Sequence, residues 1–245
     1  MHNQVYLGDC AGVLPKLPEK FARLVYVDPP FNTGKVRVNG KYSFTDSFES
    51  FEDFLIPRLE AAIRCITGDG SLFVHLDFRE VHYIKVALDR LLGRNRFMNE
   101  IIWAYDYGGR SKTRWPAKHD TILWYAMDPE NYVFNFDEMD RIPYMAPGLV
   151  GAEKAARGKT PTDVWWHTIV PTNGTERTGY PTQKPREILR RILKVHTMPG
   201  DTIIDPFCGS GTTGDVAADL CRNCVLIDSN EDAIAVTNTR LSSGT

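Results

Sequence analysis

The sequence predicts a doubly wound α/β fold with a mostly parallel sheet of about seven strands and an inserted segment. Three observations carry this. Seven short apolar runs, at 3–8, 23–28, 70–77, 98–105, 119–127, 201–205 and 223–228, have the length of buried strands. Amphipathic stretches of helical period lie between several of them. A glycine-rich turn at 209–214 joins one run to the stretch that follows it.

The first run leads into Gly8-Asp9-Cys10. The second, Leu24 to Val27, is stopped by Pro29 and Pro30, which cannot continue a central strand. Prolines fix φ and carry no N–H, so the corner they make is stiff. It offers carbonyl oxygens, the Asp28 carboxylate and the Phe31 ring. Residues 31–47 are polar and contain a turn signal, Asn39-Gly40.

Residues 50–66 have apolar groups at helical spacing, with Pro57 either early or at a kink. Strand 70–77 is followed by a helical pattern at 79–92. Between strands 98–105 and 119–127 lies YGGRSKTRWPAKH, with four Lys/Arg and no acid. Residues 128–180 hold no sustained period. A structureless loop of that length is uncommon in a compact domain unless it is functional, so it is read as an insertion. It divides one domain into halves at 1–127 and 181–245. Pro185 suits the first turn of a helix over 184–197, and further helices are expected at 211–221 and 230–242.

Composition narrows the function. A net charge of −2 excludes a globally basic protein, so any polyanion site must be a local patch. No apolar run reaches membrane-spanning length and the N-terminus has no secretory pattern. Five cysteines, an odd count, then point to reduced thiols and a cytoplasmic location. Cys221 and Cys224 form a lone C-x-x-C with no second pair or nearby histidine, so no metal site is expected; Cys224 reads as core.

The segment TIIDPFCGSGTTGDVAADL, 202–220, runs from a buried strand through Gly209, Gly211 and Gly214 into a helix. That arrangement lets backbone approach a ligand and turns free N–H groups toward it. The next strand ends in Asp228, 19 residues after Gly209, where an acid commonly meets ribose hydroxyls. Asp215 and Val216 after Gly214 rule out the P-loop pattern. A dinucleotide would set its pyrophosphate beside Asp205, a poor neighbour for phosphate. S-adenosylmethionine fits better, with Asp228 toward the ribose and Asp205 toward the α-amino group.

Asp28-Pro29-Pro30-Phe31 resembles the D-P-P-Y/F motif of amino-group DNA methyltransferases, and Asp205-Pro206-Phe207-Cys208-Gly209-Ser210-Gly211 resembles their D-P-F-x-G-x-G motif. The order, catalytic motif first, is similar to their beta group. Tyr6-Leu7-Gly8-Asp9-Cys10 and Thr182-Gln183-Lys184-Pro185 resemble two further segments of that family, so the likeness covers nearly the whole chain. Tyr180 and Asp228 stand where His and Glu are commoner.

The resemblance implies a Rossmann-like methyltransferase fold and transfer of methyl from S-adenosylmethionine to the amino group of a flipped base in double-stranded DNA. Asp28, Pro29, Pro30 and Phe31 would be catalytic. Asp9, Cys10, Asp28, Lys184, Asp205, Phe207, Gly209, Ser210, Gly211, Thr212, Thr213 and Asp228 would hold the cofactor. Exocyclic amino nitrogens are poor nucleophiles because the lone pair is delocalised. Acceptors such as the Asp28 carboxylate and Pro29 carbonyl localise it, and Phe31 gives the base a stacking face.

Arg110, Lys112, Arg114 and Lys118 are the expected phosphate contacts, a solvated basic loop being the plainer alternative. Residues 141–191 carry nine Lys/Arg against four Asp/Glu, and Trp165-Trp166 reads equally as base-stacking or core. His119, beside Asp120, is read as structural. The family resemblance links an acid at the head of this motif, here Asp28, with adenine-N6 more than with cytosine-N4. An NAD-dependent dehydrogenase would explain the glycine turn and Asp228 but leave D-P-P-F without a use. Homodimers and a companion restriction enzyme are further possibilities the family likeness raises.

Overall fold

A computed structural model describes residues 3–39, 42–171 and 173–243. Its main sheet has eight strands. They are β1 (Asn3–Leu7), β2 (Ala22–Val27), β5 (Ile66–Leu76), β6 (Phe97–Ala104), β7 (His119–Ala126), β8 (Val164–Trp166), β9 (Thr202–Asp205) and β10 (Asn223–Asp228). The order is β1-β10-β9-β2-β5-β7-β6-β8. Only β7 runs against the others, so the sheet is mostly parallel as expected.

Helices cover both faces, as a parallel sheet requires. On one face, α2 (Phe51–Arg64) and α3 (Val81–Leu92) bury Leu55, Leu59, Ile84 and Leu88 against the sheet. On the other, α5 (Arg186–His196) and α6 (Thr212–Asp219) bury Ile188, Leu189, Ile192 and Val216. The spacing of three and four residues that predicts these helices is the spacing of their buried faces. Ser50 caps α2 by accepting from the Asp53 N–H, and the helix continues through Pro57. The C-terminal α7 (Glu231–Ser243) packs on β1, β10 and α6.

Four features depart from expectation. The polar stretch 31–47 holds an antiparallel hairpin, β3 (Lys35–Asn39) with β4 (Tyr42–Asp46). Gly40 of the turn signal lies outside the described residues. Strand β5 begins at Ile66 rather than 70, because Ala22 pairs with Ile66 before the register shifts. A one-turn helix, α1 (Cys10–Val13), follows β1, capped by Asp9. Residues 128–180 contribute α4 (Ala152–Arg157) and the eighth strand, β8, which pairs with β6. Three residues are too few to show a strand period. Within β8, Trp165 is buried while Trp166 is 74% exposed, so the first is core and the second is not. Tyr132 and Phe134 of the same segment pack on Trp124 of β7.

Candidate active site

Four neighbouring parallel strands end in acids along one edge. Asp9 follows β1, Asp228 ends β10, Asp205 ends β9 and Asp28 follows β2. Register explains the alignment: Leu7 lies opposite Asp228, Leu226 opposite Asp205, and Val25 opposite Ile204. This is the carboxyl edge of the strands, where open α/β sheets bind ligands. A cleft of about 720 Å³ lies along it. Among the described residues, its lining carries seven carboxylate side chains and two cationic ones, Arg58 and Lys184.

Each acid has assigned work. Asp228 accepts from the N–H groups of Gly209 (2.8 Å) and Asn230 (2.9 Å) and so shapes the glycine turn. Burial pushes its carboxyl up. Asp205 accepts from the Thr213 hydroxyl and from the Phe207 N–H at 3.0 Å. Burial, with Asp28 and Asp228 adding to it against those two hydrogen bonds, pushes Asp205 up to about 7. Asp9 caps α1 and is held bidentate by Arg58, whose hydrogen bond, with those of Ala11 and Cys10, outweighs burial and holds the carboxyl below its usual range. Cys10 is buried, and its thiol is pushed up to about 12 by that burial and by Asp9.

Asp28 meets Lys184. The ammonium donates to both carboxylate oxygens at 2.7 Å and lies 4.8 Å from the centre of the Phe31 ring. Pro29, Pro30 and Phe31 line the same cleft, as do Phe207, Gly209, Ser210, Thr212 and Thr213. The one expected cofactor residue that does not line it is Gly211. It has φ +72° and packs on α7, where a Cβ would stand 2.7 Å from Thr237 Oγ1. Gly214 likewise serves packing, since a Cβ there would stand 2.5 Å from Leu226 Cδ1.

Beneath Phe31 runs a buried polar chain that the motifs do not announce. The Tyr26 hydroxyl and His75 Nδ1 are 2.6 Å apart, and His75 Nε2 lies 3.2 Å from Asp120. Tyr105 donates to the other Asp120 oxygen at 3.1 Å. Burial would raise Asp120, but the hydrogen bond from His75, with smaller help from Lys184 and Tyr105, holds it below the usual range. The signal was present as a polar residue, His75, inside an otherwise apolar strand. Its buried partner, Asp120, is the residue next to His119.

The basic loop, 105–118, springs from the same edge, because β6 is parallel to β2 and ends there. Arg110, Lys112 and Arg114 are exposed, and Trp115 is 96% exposed. Lys118 differs: its ammonium donates to the carbonyls of Tyr107 (2.9 Å) and Gly108 (2.7 Å) and closes the loop on itself.

A family profile described as DNA methylase, of the N6/N4 class, matches residues 22–239. The chain belongs to this family. Among curated relatives of this DNA methylase, Type II methyltransferase M.HpaI of Haemophilus parainfluenzae is 30% identical over 99% of the chain and 75% of that protein. DNA adenine methyltransferase YhdJ of Escherichia coli is 28% identical over 96% of the chain and 81% of that protein. Two solved structures share the fold. The M1.HpyAVI–SAM complex has a TM-score of 0.68 at 21% identity, covering 97% of this chain and 98% of that one. PvuII DNA methyltransferase, cytosine-N4-specific, has a TM-score of 0.73 at 17% identity, covering 98% and 86%. No helix among the described residues is long and apolar enough to cross a membrane.

Proposed function

We propose that this DNA methylase transfers methyl from S-adenosylmethionine to adenine N6 of a base flipped out of double-stranded DNA. The observation that carries the reading is the joining of the Asp28-Pro29-Pro30-Phe31 corner and the Asp205–Thr213 turn in one cleft. The two segments are far apart in sequence and come together because β2 and β9 are neighbours.

The residues fit this cofactor. A lining with seven carboxylates and two cations suits a ligand bearing a sulfonium and an ammonium, and repels a pyrophosphate. That argues against a nicotinamide dinucleotide. When bound, the cofactor supplies an activated methyl group. The chain does the rest. Asp205 and Asp228 face the cationic and nucleoside parts, and Phe207 lines the same cleft. Asp28 and the Pro29 carbonyl accept the two N–H bonds of the target amino group and aim its lone pair. Phe31 stacks on the base, returning roughly 1–3 kcal/mol of a flipping cost of a few kcal/mol.

Adenine is favoured because an acid heads the motif and because a relative of this chain is named an adenine methyltransferase. Arg110, Lys112 and Arg114 hold phosphates, and residues 128–180 contact the recognition sequence.

Base-modification sequencing of DNA from cells expressing the protein, followed by nucleoside mass spectrometry, tests the reading. N6-methyladenine in one sequence context is expected, and none with Asp28→Ala. N4-methylcytosine as the product overturns the base assignment and leaves the amino-group chemistry; 5-methylcytosine overturns both.

A further inference from the structure

Lys184 occupies two places at once. Its ammonium holds both oxygens of Asp28 and sits over the Phe31 ring. On the reading above, those are the acceptor for the target amino group and the face for the base. The base seat is therefore closed by a side chain of the protein itself.

The pair is largely buried, with side-chain exposures of 10% for Lys184 and 17% for Asp28. A buried ammonium gives up such a partner only for another anion. Its backbone is held, since the Lys184 carbonyl accepts from Thr212 Oγ1 at 3.3 Å at the start of α6. Movement thus belongs to the side chain. The other cation of the cleft, Arg58, is already bidentate on Asp9. Among the described lining residues, that leaves Lys184 to meet a carboxylate entering the cleft, in exchange for Asp28.

We propose that Lys184 is a latch that makes base entry follow cofactor entry. It closes Asp28 and Phe31 until the carboxylate of the cofactor's amino-acid tail draws the ammonium away. This rests on the S-adenosylmethionine reading, and the test separates the two.

Calorimetry compares S-adenosylhomocysteine, which has the tail, with 5′-methylthioadenosine, which has the nucleoside and no carboxylate. Asp28→Asn, nearly isosteric, should bind S-adenosylhomocysteine at least about fivefold more tightly than wild type, the coupling expected of groups in contact. Binding of 5′-methylthioadenosine should not change, which also reports an intact site. In a Lys184→Met background the gain from Asp28→Asn should vanish. Absence of the gain overturns the latch. So does an equal gain in both backgrounds, which would signify simple repulsion between Asp28 and the ligand carboxylate. Failure of wild type to bind either compound removes the cofactor reading instead.

Target capture gives a second readout, using 2-aminopurine at the base that sequencing identifies. In wild type its emission should rise with S-adenosylhomocysteine and not with 5′-methylthioadenosine. In Lys184→Met it should already be high with neither compound added. Equal emission from wild type with and without S-adenosylhomocysteine overturns the proposal.

Discussion

The His75 ring lies 5.8 Å from the Phe31 ring, tilted by 40°. The stacking face of the site therefore stands on a hydrogen-bonded floor, with Tyr26 and Asp120 on the two ring nitrogens of His75. In an apolar interior such a floor holds its geometry because every partner lost leaves a buried polar group stranded.

His75→Leu should strand the Tyr26 hydroxyl and one Asp120 oxygen. Each unsatisfied group costs about 1–3 kcal/mol, so the variant should melt measurably lower in a denaturant titration. Phe31 loses its support, so KM for DNA should rise and kcat fall. Affinity for S-adenosylhomocysteine should stay within about twofold, the spread of near-neutral changes. A variant that loses stability but keeps both kinetic constants shows His75 to be structural alone.

Asp205 should make the stability of the protein depend on pH. Its carboxyl stands at about 7 folded against 3.8 for the free group. Between those values the folded chain keeps a proton that the unfolded chain has lost. Stability should fall as pH rises through that window and level off above it. Asp205→Asn should remove this contribution in melts taken from pH 5 to 8. The ammonium of a ligand's amino-acid tail favours the ionised acid, so S-adenosylhomocysteine binding at pH 7 should release protons in wild type. Calorimetry in buffers of different ionisation enthalpy measures this; a binding enthalpy that ignores the buffer refutes it.

Asp228→Ala should do two things at once. It removes the acceptor for Gly209 and Asn230, loosening the glycine turn. It also removes a charge-assisted acceptor worth about 1.5–3 kcal/mol to ribose hydroxyls. Affinity for 5′-methylthioadenosine should therefore fall by roughly tenfold or more, because this ligand reports on the nucleoside alone. An unchanged dissociation constant shows that the acid only shapes the turn.

Replacing Arg110, Lys112 and Arg114 by Gln should weaken binding to every DNA sequence. Each lost phosphate contact removes roughly 0.9 from the slope of log affinity against log salt. Lys118→Gln tests a different property. Its ammonium staples the loop to the Tyr107 and Gly108 carbonyls, so affinity should drop while the slope changes little. Binding titrations at several salt concentrations distinguish the two outcomes. If the triple variant keeps both affinity and slope, the loop is solvated surface.

How much of this site was legible follows from the range of the interactions. Asp28 and Asp205 were readable because each ends a short apolar run at a Pro stop, and such punctuation is local chain geometry; Asp228 was readable because it ends the next apolar run, 19 residues after Gly209. Gly209 through Thr213 were readable for the same reason. So were the amphipathic helices, whose buried faces repeat every three to four residues. The hairpin β3–β4 had a local signal too: Val36 and Val38, then Tyr42 and Phe44, alternate with polar residues on either side of Asn39-Gly40, although the stretch as a whole is polar. Strand β8 had none, since its three residues are held by pairing with β6.

Sequence by itself determined the kinds of residues at the strand ends and the order in which the chain presents them. The tertiary structure decided what they touch. Lys184 reaches Asp28 across 156 residues, and His75 reaches Asp120 across 45. Gly211, one of three glycines in a single motif, turns to Thr237 on the last helix rather than to the cleft. Spacing along a chain encodes local geometry. Contacts between distant elements depend on which strands become neighbours, and that is set by the packing of the whole sheet and the helices on its two faces.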